Sequence, residues 1–241
     1  MRPAYIGPMK TANPSITPED FLLNTDLGAD KRIVIISSCT GKKVVPGGPL
    51  TLAEFKKGPE HVAEVEAFHA SLQAPGVRAL YPAEELYTGQ QHLRLMKGVE
   101  SIRERLGSEV VDLHILSAGY GLVDGGRHLA PYEATFGDMT KAEGRAWGKE
   151  LGVSQALQAA LAEPYDIALV LLGDDYLNAC NIGPELQLNG PTFFLCGKGS
   201  AAKLPTIPGL VTVPVANPDA KTFSCGMVGL KGELVARLLQ C

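Results

Sequence analysis

Ile33-Val34-Ile35-Ile36-Ser37-Ser38-Cys39-Thr40-Gly41-Lys42-Lys43 decides the fold class. Four apolar residues run without alternation, and the chain then breaks at once into small and polar ones. A strand with one wet face would alternate. An unbroken apolar run of this length fits a strand covered on both faces, as in a parallel sheet. The same pattern recurs twice. Residues 110–116 form an apolar-rich segment ending in Ser117-Ala118-Gly119-Tyr120-Gly121, and residues 167–172 end in Gly173-Asp174-Asp175-Tyr176. Residues 192–196 and 210–215 read as two shorter strands.

Helical patterns separate these strands. Residues 51–72 carry Leu52, Phe55, Val62, Val65, Phe68 and Leu72 at helical spacing, split by Gly58-Pro59. Residues 83–106 read as one long helix with Leu86, Leu93, Met96, Val99, Ile102 and Leu106 on a single face. Residues 141–161 read as a further helix stopped by Pro164, and residues 228–239 as a closing helix. Alternating strands and helices predict an α/β fold: a mostly parallel sheet with helices on both faces. The division expected is an N-terminal arm over residues 1–30 and a single domain over residues 31–241.

Composition narrows the function. The chain has 241 residues, 45% of them hydrophobic, and a formal net charge of −4, with a pI near 5.8. That balance argues against a surface coated in positive charge, while leaving room for a local basic site. No apolar stretch approaches the roughly 18 residues of a membrane span. The first residues lack a signal-type apolar core. The five cysteines are scattered without C-x-x-C spacing, so neither a metal nor another cofactor is expected, and a reducing cytoplasm fits best.

In a parallel sheet, ligands bind beyond the carboxyl ends of the strands. The candidate site residues all fall there. Cys39, Thr40, Gly41, Lys42 and Lys43 form a turn whose backbone and lysines suit a phosphate or carboxylate. Cys39, beside positive charge, is also a candidate nucleophile; the plainer reading is a buried cysteine flanked by solvated lysines. Tyr87, Thr88, Gly89 and Gln90 offer an aromatic face and a carboxamide able to read a base edge, or simply a capped helix start. Ser117, Gly119, Tyr120 and Gly121 suggest close backbone approach to a ligand, with Tyr132 closing the pocket. Asp174 is a candidate general base or an N-cap, and Tyr120 a positioning group. Lys231, in a glycine-rich turn entering the last helix, is a candidate anion contact. The three turns around Cys39, Tyr87 and Ser117 are expected to meet on one edge. With both lysines exposed, replacing Lys42 and Lys43 by Ala is expected to weaken anion binding and spare stability.

Cys39-Thr40-Gly41-Lys42-Lys43, Glu85-Leu86-Tyr87-Thr88-Gly89, Ile115-Leu116-Ser117-Ala118-Gly119-Tyr120-Gly121-Leu122 and Pro131-Tyr132 occur together in this order. The set resembles the YaaA-like peroxide-stress family and a related uncharacterised domain met beside base-modification and phage-defence genes. The resemblance is closest over residues 32–136. It implies a fold similar to uracil-DNA glycosylases and a role in stress response or DNA and nucleobase metabolism. The expected partner is then nucleic acid or a nucleobase, with N-glycosidic-bond chemistry. The alternative is an enzyme acting on a free nucleoside, nucleotide or similar metabolite. The chain departs from the glycosylase water-activating motif Gly-Gln-Asp-Pro-Tyr, carrying Gly89-Gln90-Gln91 instead.

Overall fold

The computed structural model describes residues 13–25, 27, 31–45, 47–72 and 78–240. In chain order the elements are α1 (Pro18–Asn24), β1 (Ile33–Ser38), β2 (Leu50–Thr51), α2 (Leu52–Phe55), α3 (Pro59–Ser71), β3 (Tyr81–Pro82), α4 (Ala83–Leu86), α5 (Gln90–Leu106), β4 (Val111–Ser117), β5 (Gly121–Asp124), β6 (His128–Leu129) and β7 (Tyr132–Glu133). They continue with α6 (Lys141–Glu150), α7 (Val153–Ala160), β8 (Ile167–Val170), α8 (Asp174–Cys180), β9 (Thr192–Gly197), α9 (Lys198–Ala201), β10 (Leu210–Val215), α10 (Asn217–Thr222) and α11 (Met227–Gln240).

Six strands form one sheet in the order β10-β9-β8-β1-β4-β5. All neighbours are parallel except β4 and β5. Ile33, Val34, Ile35 and Ile36 are all fully buried. Successive side chains of a strand point to opposite faces, so both faces of the sheet are covered at its centre. The protein is therefore α/β with a mostly parallel sheet, as the run at residues 33–36 predicts. The antiparallel edge strand β5 was not expected. Gly121 enters it with φ +74°, a conformation that glycine adopts at little cost, and the chain reverses within the residues 118–120.

Strand β1 occupies the point where the chain changes direction across the sheet. From β1 it moves to β4 on one side, then returns past β1 to β8 and continues outward to β9 and β10. The carboxyl ends of β1 and β8 therefore flank the topological switch point, where helices leave in opposite directions and open a crevice.

Two expected helices are broken. Residues 83–106 divide into α4 and α5 because the backbone at Tyr87 and Thr88 pairs with the loop after β1. Val44 N–H donates to the Leu86 carbonyl and Thr88 N–H to the Lys42 carbonyl, both at 2.9 Å. The helix restarts at Gln90 in a new phase. Its buried face is Gln91, His92, Leu95, Gly98, Val99 and Ile102, and Leu93, expected inside, is exposed. Residues 141–161 divide at Gly152, which has φ +64°.

Helices α5 and α11 lie side by side and run parallel, since Gly229 touches Arg94, Gly232 touches Gln91, and Gly98 touches Ala236. Both N-termini therefore point to the carboxyl edge of the sheet. Of the expected arm, residues 13–16 follow β10, with Ile16 N–H on the Thr212 carbonyl at 3.1 Å. In α1, Phe21 is fully buried against Phe193, with ring centroids 5.4 Å apart. Residues 1–12, 26 and 28–30 of that arm lie outside the described ones. Among the described residues no helix is long and apolar enough to cross a membrane.

The start of α6 illustrates local control. Thr140 Oγ1 accepts the Glu143 N–H, and the Glu143 carboxylate accepts the Thr140 N–H at 2.8 Å. Thr140→Ala removes half of this reciprocal cap and should lower stability by about 1 kcal/mol. Chemical denaturation measures it, and an unchanged midpoint would contradict the cap.

Candidate functional site at the carboxyl ends of the strands

Two polar groupings meet at the carboxyl edge. The first bridges β1 and β8. Gln91, in the first turn of α5, donates from Nε2 to Ser37 Oγ on β1 and to the Leu171 carbonyl just past β8, both at 3.2 Å. Lys231, from α11, donates from Nζ to the Leu171 carbonyl at 3.3 Å and the Leu172 carbonyl at 2.6 Å. Burial pulls the Lys231 ammonium down to about 8, against opposing pulls from Cys196 and Asp174. Asp174 opens α8, is exposed, and accepts the Ser200 hydroxyl at 2.6 Å on one carboxylate oxygen.

The second grouping is a chain of hydroxyls around Cys39. Ser117 Oγ accepts the Gly119 and Tyr120 N–H groups at 3.1 and 3.0 Å, and donates to the Tyr132 hydroxyl at 2.7 Å. The Tyr132 hydroxyl lies 2.9 Å from that of Tyr87. Cys39 Sγ lies 3.0 Å from the Tyr176 hydroxyl of α8, joining β1 to α8 across the switch point. Burial, followed by the neighbouring Cys39, raises the pKa values of Tyr87, Tyr132 and Tyr176 well above the usual phenol value. All three therefore stay protonated at neutral pH and work as neutral hydrogen-bonding groups.

The three turns around Cys39, Tyr87 and Ser117 come together. Cys39 N–H donates to the Leu116 carbonyl at 2.9 Å, Gly89 N–H donates to Thr40 Oγ1 at 3.1 Å, and Lys43 pairs with Tyr87 as an isolated bridge. Several individual roles nevertheless change. Tyr87 and Tyr132 are fully buried, so neither presents a stacking face. Lys43 is buried too, its Nζ 4.5 Å from the centre of the Tyr132 ring. Lys42 is the exposed lysine of the pair. Replacing both lysines would therefore cost stability through Lys43, contrary to expectation.

The glycines divide as well. A Cβ on Gly119 would lie 2.3 Å from the Phe55 ring, and one on Gly89 would lie 2.5 Å from the Thr40 side chain. These residues are small because protein packs against them. Gly41 faces open space and is exposed. Tyr120 turns from the crevice. Its ring packs on Phe55 and Tyr132, and its hydroxyl reaches towards the Ala130 carbonyl at 3.4 Å. Gln90 is exposed, whereas Gln91 is buried. Thr88 provides no side-chain cap, since the N-cap of α5 is Gly89.

Sequence reading missed Gln91, Ser37, Tyr176, Ser200 and Cys196. Gln91 was legible in principle. A helix starting at Gln90 places residues 91, 95, 98 and 102 on one inward stripe, and a carboxamide on an inward stripe needs buried partners.

Two open hollows of about 450 and 600 Å³ lie elsewhere, lined by residues of α6, α7 and α8 and by residues 181–187. Neither contains a strand-end residue. The convergence of buried polar side chains favours the switch point over these hollows.

Tyr132→Phe should cost about 1–2 kcal/mol, because the Ser117 and Tyr87 hydroxyls each lose a buried partner. Thermal unfolding reads this, and a neutral substitution would contradict the chain of hydroxyls.

No curated protein matches the chain. Residues 77–195 match a group described as a Family of unknown function (DUF6884). That stretch holds Tyr87, Gln91, Ser117, Tyr132 and Asp174, and lies between the Cys39–Lys43 turn and Lys231. Over it the chain is similar to a family whose description records no activity.

Proposed function

We propose that this protein binds a nucleotide or nucleoside in the crevice between the carboxyl ends of β1 and β8, and acts on its N-glycosidic bond. The observation that carries the reading is that Gln91 bridges the two strand ends at the switch point, with Lys231 beside it on the carbonyls that follow β8. Lys231, with Lys42 at the rim, supplies positive charge for a phosphate. Asp174, held by Ser200, supplies a carboxylate to orient water or a sugar hydroxyl. The nucleobase component rests on the resemblance to YaaA-like proteins and on the glycosylase-like fold which that resemblance implies. A cytoplasmic location belongs to the same reading, supported by the free state of Cys39, Cys180, Cys196 and Cys225.

A free ligand is favoured over a long strand because Tyr87 and Tyr132 are buried and offer no stacking platform. The second reading, nucleic-acid binding, draws on exposed Lys42 beside the open Gly41. Incubation with the four nucleoside 5′-monophosphates, followed by chromatography, tests the first reading. Released base from at least one supports it; intact nucleotides and no binding throughout would sink it. Fluorescence anisotropy with single-stranded DNA tests the second, whose signature is a steep loss of affinity with salt.

A further inference from the structure

We propose that Lys43 anchors a small-oxyanion site, which takes a phosphate or carboxylate group at the turn after β1 and stands apart from the nucleotide reading above. Among the described residues Lys43 is the one buried lysine, 9% exposed. Its ammonium nevertheless has no hydrogen bond or ion pair with any of them. Its contact is the face of the Tyr132 ring, with Nζ 4.5 Å from the centroid. The more exposed Lys31, Lys57 and Lys141 each have a carboxylate, and Lys231 has two carbonyls. A buried charge is as a rule paired. A ring face attracts a cation from one side only, and an ammonium carries three N–H donors. Water can accept those N–H groups, but only an anion balances the charge.

The fold sets this ammonium in place before any ligand arrives. Lys43 and Tyr87 stand opposite each other in an antiparallel bridge, so their side chains share one face. The bonds from Val44 N–H to the Leu86 carbonyl and from Thr88 N–H to the Lys42 carbonyl fix the pair. The Tyr87 hydroxyl meets that of Tyr132 at 2.9 Å, and the Tyr132 ring under Lys43 is packed edge-on by Phe55 and Tyr120. The long lysine side chain is therefore already ordered, which removes an entropic cost from binding. Among the described residues the buried side-chain nitrogens with neither solvent nor a partner are His92 Nδ1 and Arg103 Nε. Lys43 Nζ is not one of them, so a small ion can reach it.

Charge and backbone around the turn agree with this. The acidic side chains that hold the segments beside Tyr132 bond to backbone instead of to Lys43. Glu133 accepts the Gly47 N–H at 3.0 Å, and Glu66 accepts the Ala130 N–H at 3.2 Å. Thr40, Gly41 and Lys42 donate no backbone N–H to a described residue, and a Cβ on Gly41 would meet nothing within 4 Å. Lys42 is exposed in the same turn. Unused backbone donors and a second lysine thus border the buried ammonium, a combination suited to an oxyanion.

Isothermal titration calorimetry of the intact protein at neutral pH, with inorganic phosphate and separately with acetate, tests the site. At least one of the two anions should bind, with a Kd of about 0.1–10 mM. Lys43→Met keeps an apolar stem over Tyr132 and removes the charge, and should weaken that binding roughly tenfold or more. Lys42→Met, at the exposed lysine, should weaken it by no more than about twofold. Should Lys43→Met misfold, acylation of the unsubstituted protein by a lysine-directed ester decides the matter. The bound anion should slow modification of Lys43 and leave that of Lys42 unchanged. No binding of either anion, equal losses in the two variants, or Lys43 acylation indifferent to the anion would overturn the proposal. Anion binding at Lys43 without base release from nucleotides would retain this site and refute the N-glycosidic reading. Base release with no anion at Lys43 would do the reverse.

Discussion

Gly232→Leu should lower stability by about 3 kcal/mol or more, the largest loss expected from a single side chain added at the α5–α11 contact. A Cβ at this position would lie 2.1 Å from the Gln91 carbonyl oxygen, which is backbone and cannot swing aside. The two helices must separate. The intrinsic helix preference of leucine over glycine returns only about 1 kcal/mol, so packing wins. For a chain of this size the loss corresponds to a drop in Tm of roughly 6–12 °C. The same displacement pulls Gln91 from Ser37 and Lys231 from Leu172, so ligand binding should weaken even where the variant remains folded. Calorimetry with and without nucleotide reads both effects. An unchanged Tm would mean that α5 and α11 do not meet at Gly232.

Lys231→Met should have the opposite signature: a loss of function of about a hundredfold with no loss of stability at pH 7. The functional loss follows from removing a charge-assisted contact worth about 3 kcal/mol. The stability effect follows from linkage. Folding lowers the Lys231 pKa from 10.5 to about 8, so between those values the unfolded chain holds a proton that the folded chain has released. Stability from this group therefore rises with pH across that window and is lowest below pH 8. Methionine lacks this term. The variant should be more stable than the parent by about 1–2 kcal/mol at pH 7, once lost hydrogen bonds to the two carbonyls are offset. The gap should close as pH rises from 8 towards 10. Denaturant titrations at pH 7 and pH 9.5 measure it, and a variant destabilised at pH 7 would show that Lys231 serves the fold.

The sheet was legible because its central strand carries no compromise. Ile33 to Ile36 are buried on both faces and read that way from side-chain type alone. The meeting of the three turns was also legible, since parallel strands must end on one edge. Individual roles were not, because they depend on where helices start. The backbone pairing of Tyr87 and Thr88 with the loop after β1 is a tertiary interaction, invisible to periodicity, and it rotates the face of α5 so that Gln91 replaces Gln90. Tyr87 and Tyr132 offered aromatic faces on paper. Their hydroxyls instead form a buried chain with Ser117, which no spacing rule encodes. Gly119 looked like a place for ligand approach, and the approaching group is the Phe55 ring.

A nucleotide seated in the crevice between β1 and β8 should slow amide hydrogen exchange there, measured with and without a saturating mixture of nucleoside 5′-monophosphates. The expected protection is confined to residues 37–43, the first turn of α5 at residues 89–93, and residues 171–176. Protection centred instead on the hollow at residues 145–149 and 179–181, or no protection anywhere, would contradict it.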